Sequence, residues 1–248
     1  MDMNKINRKS WNLQAERYQK NADFSFSVVD YGDIRCPNDN DLKLIGSVKD
    51  KEVLELGCGG ANCGIALAKQ GARMTCLDIS EEQLRFARNN AAKENVKISF
   101  IRSEIENMSE FSDEKFDKVV SICALMYVKD IDKVFKEVYR ILKPDGIFIF
   151  STDDPIFFAV ASGTVWKEDN TSDNYFYSGE EKWKWQDEDD FDFVTYRRPI
   201  YEYINLLADA GFKIERFYEF GIDKDKPSGL EGELMGKYPR LMVFKVSK

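Results

Sequence analysis

The stretch Val53-Leu-Glu-Leu-Gly-Cys-Gly-Gly-Ala-Asn-Cys-Gly64 decides the fold. Its first residues read as the end of a short buried strand. Beyond the glycines, Ile65, Leu67 and Ala68 open a helical pattern that stops at Gly71. Glycines between a strand and a helix let the main chain turn sharply and leave space for a ligand against the backbone. The spacing from Gly57 is not G-x-G-x-x-G, because Asn62 stands at the third glycine position, and no Lys-Ser/Thr pair follows as a P-loop requires. Dinucleotide and nucleoside-triphosphate readings both weaken. Glu55 sharpens the picture, since an acidic side chain in an apolar strand end is costly unless it fixes loop amides or a cationic ligand. Twenty-one residues after Gly57, Asp78 ends the next strand, where a carboxylate can accept both hydroxyls of an adenosine ribose.

Outward from this stretch the chain alternates strand and helix. Arg73 to Leu77 is a strand, and Ser80-Glu-Glu-Gln83 is a capping box opening a helix with Leu84, Ala87, Arg88 and Ala91 on one face. Strands follow at Lys97 to Ile101 and Phe116 to Ile122. A helix from Ile131 to Leu142 carries Val134, Phe135, Val138 and Ile141, and another strand runs from Ile147 to Ser151 after the stop Lys143-Pro-Asp-Gly146. Near-continuous apolar strands separated by helices predict a parallel sheet covered on both faces. A helix from Ile200 to Ala210 and strands at Phe212 to Phe220 and Leu241 to Val246 close the chain. The last two strands have no helical pattern between them and are expected to pair antiparallel.

Two segments stand outside this rhythm. Residues 1–40 are polar with interspersed aromatics and predict one or two short helices, a cover for the sheet, ending in a turn near Gly32 and Pro37. Residues 154–198 carry Phe157, Phe158, Trp166, Tyr175, Phe176, Tyr177, Trp183, Trp185, Phe191, Phe193 and Tyr196, with an acidic run from Glu180 to Asp192. So long and aromatic a segment reads as a lid or substrate-binding insertion, or as a flap covering the sheet edge.

Composition excludes several chemistries. The 248 residues suit one globular domain, here with an insertion. A net charge of -8 disfavours a broad nucleic-acid-binding field. The absence of histidine removes His bases, His-containing triads and His metal sites, and no metal is expected. Five cysteines, Cys36, Cys58, Cys63, Cys76 and Cys123, lie in apolar stretches without a signal-peptide pattern and read as reduced thiols of a cytoplasmic protein. No apolar run reaches membrane-spanning length.

The words VLELGCGG, LDIS, FDKVVSICALMYVKD and ILKPDGIF resemble the class I S-adenosylmethionine-dependent methyltransferases, in particular the small-molecule group around ubiquinone and menaquinone biosynthesis. The resemblance is strong from Lys51 to Ser151 and weaker from Arg197 to Phe217. It implies an α/β, doubly wound, seven-stranded sheet in the order 3-2-1-4-5-7-6 with the last strand antiparallel. It also implies S-adenosylmethionine as cofactor and S-adenosylhomocysteine as product. By the resemblance, Glu55, Gly57, Cys58 and Gly59 shape the methionine end of the site, Asp78 holds the ribose, and Ile79 lies against the adenine. Glu104, followed by Ile105, meets the adenine amine, and Ser121 lines the methionine portion. Relatives often carry a histidine near Asp153-Asp154-Pro155 and another near Tyr196-Arg-Arg198, where this chain has none.

The expected reaction is methyl transfer to an N or O atom of a small molecule, driven by placement and desolvation. Alternatives are a nucleic-acid methyltransferase, a nicotinamide-dependent oxidoreductase and a noncatalytic adenosyl-ligand-binding regulator. On the acceptor side, Tyr31, Tyr127 and Tyr177 are candidate catalytic groups, and Arg198, Trp166 and Trp183 candidate substrate-binding groups. Arg198 has pairing with the acidic insertion as its alternative role. Oligomeric state is open.

Overall fold

The computed structural model describes residues 2–21, 25–33, 36–161, 174–184, 192–221, 234 and 236–248. Its centre is a seven-stranded sheet in the order β3-β2-β1-β4-β5-β9-β8. These strands are β1 (Glu52–Leu56), β2 (Arg73–Asp78), β3 (Ile98–Arg102), β4 (Phe116–Ile122), β5 (Leu142–Asp153), β8 (Lys213–Phe220) and β9 (Leu241–Ser247). Counted within this sheet the order is 3-2-1-4-5-7-6. The last strand alone runs antiparallel, paired to β5 and β8, as the sequence predicts. β5 is longer than expected because Lys143-Pro-Asp-Gly146, read as a stop, lies within it beside an irregularity in the β4 pairing.

Alternation along the strands divides the core in two. Val53, Val120, Ile149 and Val243 face one layer, with α3 (Asn62–Lys69), α4 (Glu81–Lys93) and the segment carrying Val29, Tyr31, Leu44 and Ile45. Leu54, Val119, Phe148, Phe150 and Phe244 face the other, with α5 (Ile131–Ile141) and α7 (Ile200–Asp209). α5 buries Ile131, Val134, Phe135, Val138 and Ile141, one stripe at helical spacing. Phe150 stacks on Phe244 with ring centroids 5.0 Å apart. Each such buried ring contributes about 1.5–3 kcal/mol of transfer free energy.

The N-terminal cover differs from expectation. It is one 19-residue helix, α1 (Met3–Asn21), followed by the single turn α2 (Asp39–Leu42). α1 buries Asn7, Ser10 and Gln14 beside Met3 and Ala15, so it docks through polar groups as much as apolar ones. The aromatic insertion contains α6 (Pro155–Ala161) and a separate antiparallel hairpin, β6 (Gly179–Lys184) with β7 (Asp192–Arg197). Among the described residues no helix is long and apolar enough to cross a membrane, and none of the five cysteines is in a disulfide.

Candidate active site

The site is built where β1, β2 and β4 end. After β1 the chain turns through Gly57 (φ +69) and Gly59 (φ +51), and Ala61 (φ 61) adopts the same left-handed conformation as the N-cap of α3. A side chain on Gly57 would put its Cβ 2.3 Å from Ala124 Cβ, so the loop lies directly on the segment after β4. At Gly59 the nearest atom to such a Cβ is Gln83 Oε1 at 3.8 Å, an ordinary contact, so this backbone face is not crowded as Gly57 and Gly64 are. The amides of Gly57 and Cys58 donate to the Leu77 carbonyl at 2.8 and 3.0 Å, tying the loop to β2.

Two buried carboxylates hold this loop. Asp78 Oδ2 accepts the Gly59 amide at 2.8 Å, and its Oδ1 accepts the Ser80 amide at 2.8 Å. Glu55, 3% exposed, reaches across to α3 and accepts the Gly64 amide at 2.9 Å. Gly64 is required there, because an added Cβ would lie 2.7 Å from Glu55 Oε2 and 2.6 Å from Cys76 Sγ. Burial pushes the Glu55 carboxyl up to about 8, against the opposite pull of the Cys76 thiol and the Gly64 amide. Burial likewise pushes the Cys58 thiol up to about 11, which keeps it neutral. The Asn62 Oδ1 beside this loop is buried without a hydrogen-bonding partner among the described residues.

A titration follows from Glu55. A free carboxyl of this type titrates near about 4.3. Between that pH and about 8 the folded chain retains a proton that the unfolded chain has lost. The contribution of this group to stability is therefore complete at the acid end and disappears as pH rises through about 8. Glu55→Gln is expected to flatten the fall in melting temperature between about pH 5 and 8.5. Parallel melting curves for variant and parent would remove Glu55 as the cause.

The remaining sequence-predicted positions gather around the same edge. Ile105 packs over Gly57, its Cδ1 lying 3.3 Å from where a Cβ would stand. Ser103, just before Glu104, donates its amide to the Asp78 carbonyl at 3.1 Å, and Ile79 is half-buried beside it. Glu104 is exposed and accepts from Asn4 Nδ2 of α1 at 3.0 Å. Ser121 is fully buried, and its hydroxyl donates to the Leu56 carbonyl at 3.0 Å, stitching β4 to β1. Ser80 caps α4 by accepting the Gln83 amide at 3.1 Å. The Gln83 side chain does not complete the expected box: it accepts from Gln19 of α1 at 2.8 Å.

α1 is the part of the site that the sequence reading missed. Asn12 Oδ1 accepts the Ser80 hydroxyl at 2.7 Å, and Asn12 Nδ2 donates to Glu81 Oε2 at 2.9 Å. Gln19 lies against Gly60, where an added Cβ would come within 2.3 Å. On its other side, Asn7 exchanges two 2.8 Å hydrogen bonds with the Val194 peptide, and the Ser10 hydroxyl donates to the Asp192 carbonyl at 2.6 Å. The helix thus joins the side of the glycine turn to the β6–β7 hairpin. Carboxamides at residues 4, 12 and 19, roughly two turns apart, were the available signal.

The acceptor-side candidates take different positions. Tyr31 is fully buried and donates to Asp39 Oδ1 at 2.5 Å, and burial together with Asp39 raises its hydroxyl pKa. Tyr177 donates to the Glu180 carbonyl at 2.9 Å within the hairpin. Tyr127 ends the 3-10 turn Leu125–Tyr127 after β4 and packs edge-on against Trp11 at 5.7 Å. Trp183 stacks on Phe193 at 4.7 Å, and Phe193 meets Trp11 at 4.9 Å. Trp166 lies outside the described residues. Arg198 is buried, its guanidinium donating to the Val128 carbonyl at 2.8 Å and to that of Lys129, and stacking 4.1 Å from the Tyr196 ring. The arginine that meets the acidic insertion is its neighbour Arg197, 3.3 Å from Glu181.

Comparison with known proteins now decides the family. The family model described as "Methyltransferase domain" matches residues 47–202, more than half of the chain. The chain belongs to this family. It is an S-adenosylmethionine-dependent methyltransferase by fold and relationship. It is 30% identical over 213 residues to the protein named "Putative methyltransferase YqeM" of Bacillus subtilis (strain 168), covering 77% of this chain and 85% of that one. A ubiquinone biosynthesis O-methyltransferase of Serratia proteamaculans (strain 568) is 32% identical over 111 residues, 45% of this chain and 46% of the relative, so less than half of that enzyme is spanned. Among solved structures, an S-adenosylmethionine-dependent methyltransferase from Mesorhizobium loti superposes with a TM-score of 0.68 at 27% identity, over 84% of this methyltransferase and 95% of the other chain.

Proposed function

We propose that this methyltransferase binds S-adenosylmethionine across the loop from Glu55 to Asn62 and transfers its methyl group to an oxygen or nitrogen of a small molecule. The observation that carries the reading is Asp78: a buried carboxylate at the end of β2 that fixes the left-handed Gly59 of the glycine turn beside it. A ribose would place its hydroxyls at that carboxylate, and the Gly59 face allows a ligand to approach the main chain. Glu55 and the unpartnered Asn62 Oδ1 suit the ammonium of an amino-acid moiety. Glu104 and Ile105, close to the same loop, suit an adenine.

When bound, the cofactor supplies a methyl group already activated by its sulfonium. The task of the chain is then to hold a nucleophile within about 3–3.5 Å along the displacement line and to keep water out. α1 and the β6–β7 hairpin are suited to the second role because they roof the strand ends. A cation beside Glu55 favours its ionised form, so cofactor binding near neutral pH should release a proton from this carboxyl. The small-molecule assignment is supported by the ubiquinone-type relatives and by the net charge of -8. Incubation with S-adenosylmethionine and a panel of phenols, alcohols and amines should yield S-adenosylhomocysteine in an acceptor-dependent manner. Methylation of RNA or DNA, with none of the small molecules modified, would reverse the substrate assignment.

A further inference from the structure

Three tyrosines are available near the strand ends, and their hydroxyls differ. Those of Tyr31 and Tyr177 are bound to Asp39 and to the Glu180 carbonyl. The Tyr127 hydroxyl has no hydrogen-bonding partner among the described residues, although its ring is held between Trp11 and Phe193 at 5.7 and 6.3 Å. Trp11 also packs on Tyr18 at 5.3 Å, so α1, the turn after β4 and the hairpin together present one aromatic surface. Burial raises the pKa of the Tyr127 hydroxyl, and the charge of Asp153, at the end of β5, raises it further. Asp153 is ion-paired with Arg240, whose guanidinium lies 5.3 Å from the Phe157 ring and 5.4 Å from that of Phe158. β4 and β5 are neighbours, with Ile122 opposite Ser151, so Tyr127 and Asp153 stand at the same edge of the sheet. Ala124, three residues before Tyr127, touches Gly57 of the cofactor loop.

We propose, resting on the methyltransferase reading, that Tyr127 and Asp153 form the floor of the acceptor site and select a flat ring bearing a neutral hydroxyl or amine. The selection comes from complementarity. Tyr127 remains protonated and offers one donor. Asp153, ion-paired with Arg240, offers an acceptor. A neutral hydroxyl or amine satisfies both at once, whereas a quaternary ammonium has no lone pair for Tyr127 and no proton for Asp153. The rings of Trp11 and Tyr18 favour a planar frame by edge and offset contacts. The second half of this pair was not legible in the sequence, because Asp153 acquires its meaning from Arg240 on a distant segment.

Saturation-transfer NMR on the full chain with S-adenosylhomocysteine present tests the site, using phenol, aniline, cyclohexanol and phenyltrimethylammonium as probes. Phenol and aniline should bind in preference to the other two. Tyr127→Phe, which keeps the ring, and Asp153→Asn should each weaken phenol binding about tenfold, the worth of a hydrogen bond to or beside a charge. Equal binding by parent and both variants overturns the proposal. So does a preference for phenyltrimethylammonium or cyclohexanol, or the absence of any probe binding by protein that binds S-adenosylhomocysteine. If the protein binds no S-adenosylhomocysteine, the methyltransferase reading falls, and this site falls with it.

Discussion

Asn7→Ala is expected to release the β6–β7 hairpin from α1 and to lower stability by about 2–6 kcal/mol, since two buried peptide groups at Val194 lose their partners at about 1–3 kcal/mol each. The loss is specific. β7 is in a two-stranded sheet, so on its side away from β6 the Val194 N–H and C=O are satisfied by the Asn7 carboxamide. A single side chain here acts as a strand would. Hydrogen exchange at the Val194 amide should accelerate markedly in the variant, while amides in β1 and β4 stay protected. Unchanged exchange at Val194 would mean that the hairpin holds its place without α1.

Asp78→Ala is the second large effect. Two ribose hydroxyls bound to a carboxylate are worth about 1.5–3 kcal/mol each, so S-adenosylmethionine affinity should fall at least about a hundredfold. The same carboxylate also fixes the Gly59 and Ser80 amides, so some loss of melting temperature accompanies it. Asp78→Asn retains an acceptor oxygen and separates the two effects: melting should recover more than affinity. Equal affinity in titration calorimetry for Asp78→Ala and the parent would remove Asp78 from the ribose site.

The sheet was legible because its central strands are buried on both faces and α5 carries a single apolar stripe. Val53 to Leu56 and the stripe from Ile131 to Ile141 announce themselves by hydrophobicity alone. The glycine turn was legible for another reason: glycines and buried carboxylates are costly in a strand-to-helix turn and need a cause. α1 escaped because hydrophobic periodicity is blind to docking by carboxamides. Asn4, Asn12 and Gln19 carry no apolar signal, yet they contact Glu104, Ser80 and Gln83. Gln83 shows the same limit on a smaller scale. Its position three residues after Ser80 predicts a capping box, but a tertiary partner takes the side chain. Arg198 and Arg197 could not be told apart in sequence, since which of two adjacent arginines faces the Val128 carbonyl and which faces Glu181 is a matter of strand phase.

The central claim is that the loop from Glu55 to Asn62 and the carboxylate of Asp78 form an adenosyl site. Titration calorimetry of the purified protein with S-adenosylhomocysteine, with NADH as the comparison, tests it most directly. The account predicts saturable binding of S-adenosylhomocysteine, accompanied near neutral pH by proton release from Glu55, and no binding of NADH. Binding of NADH with no response to S-adenosylhomocysteine would contradict it and return the glycine turn to a dinucleotide.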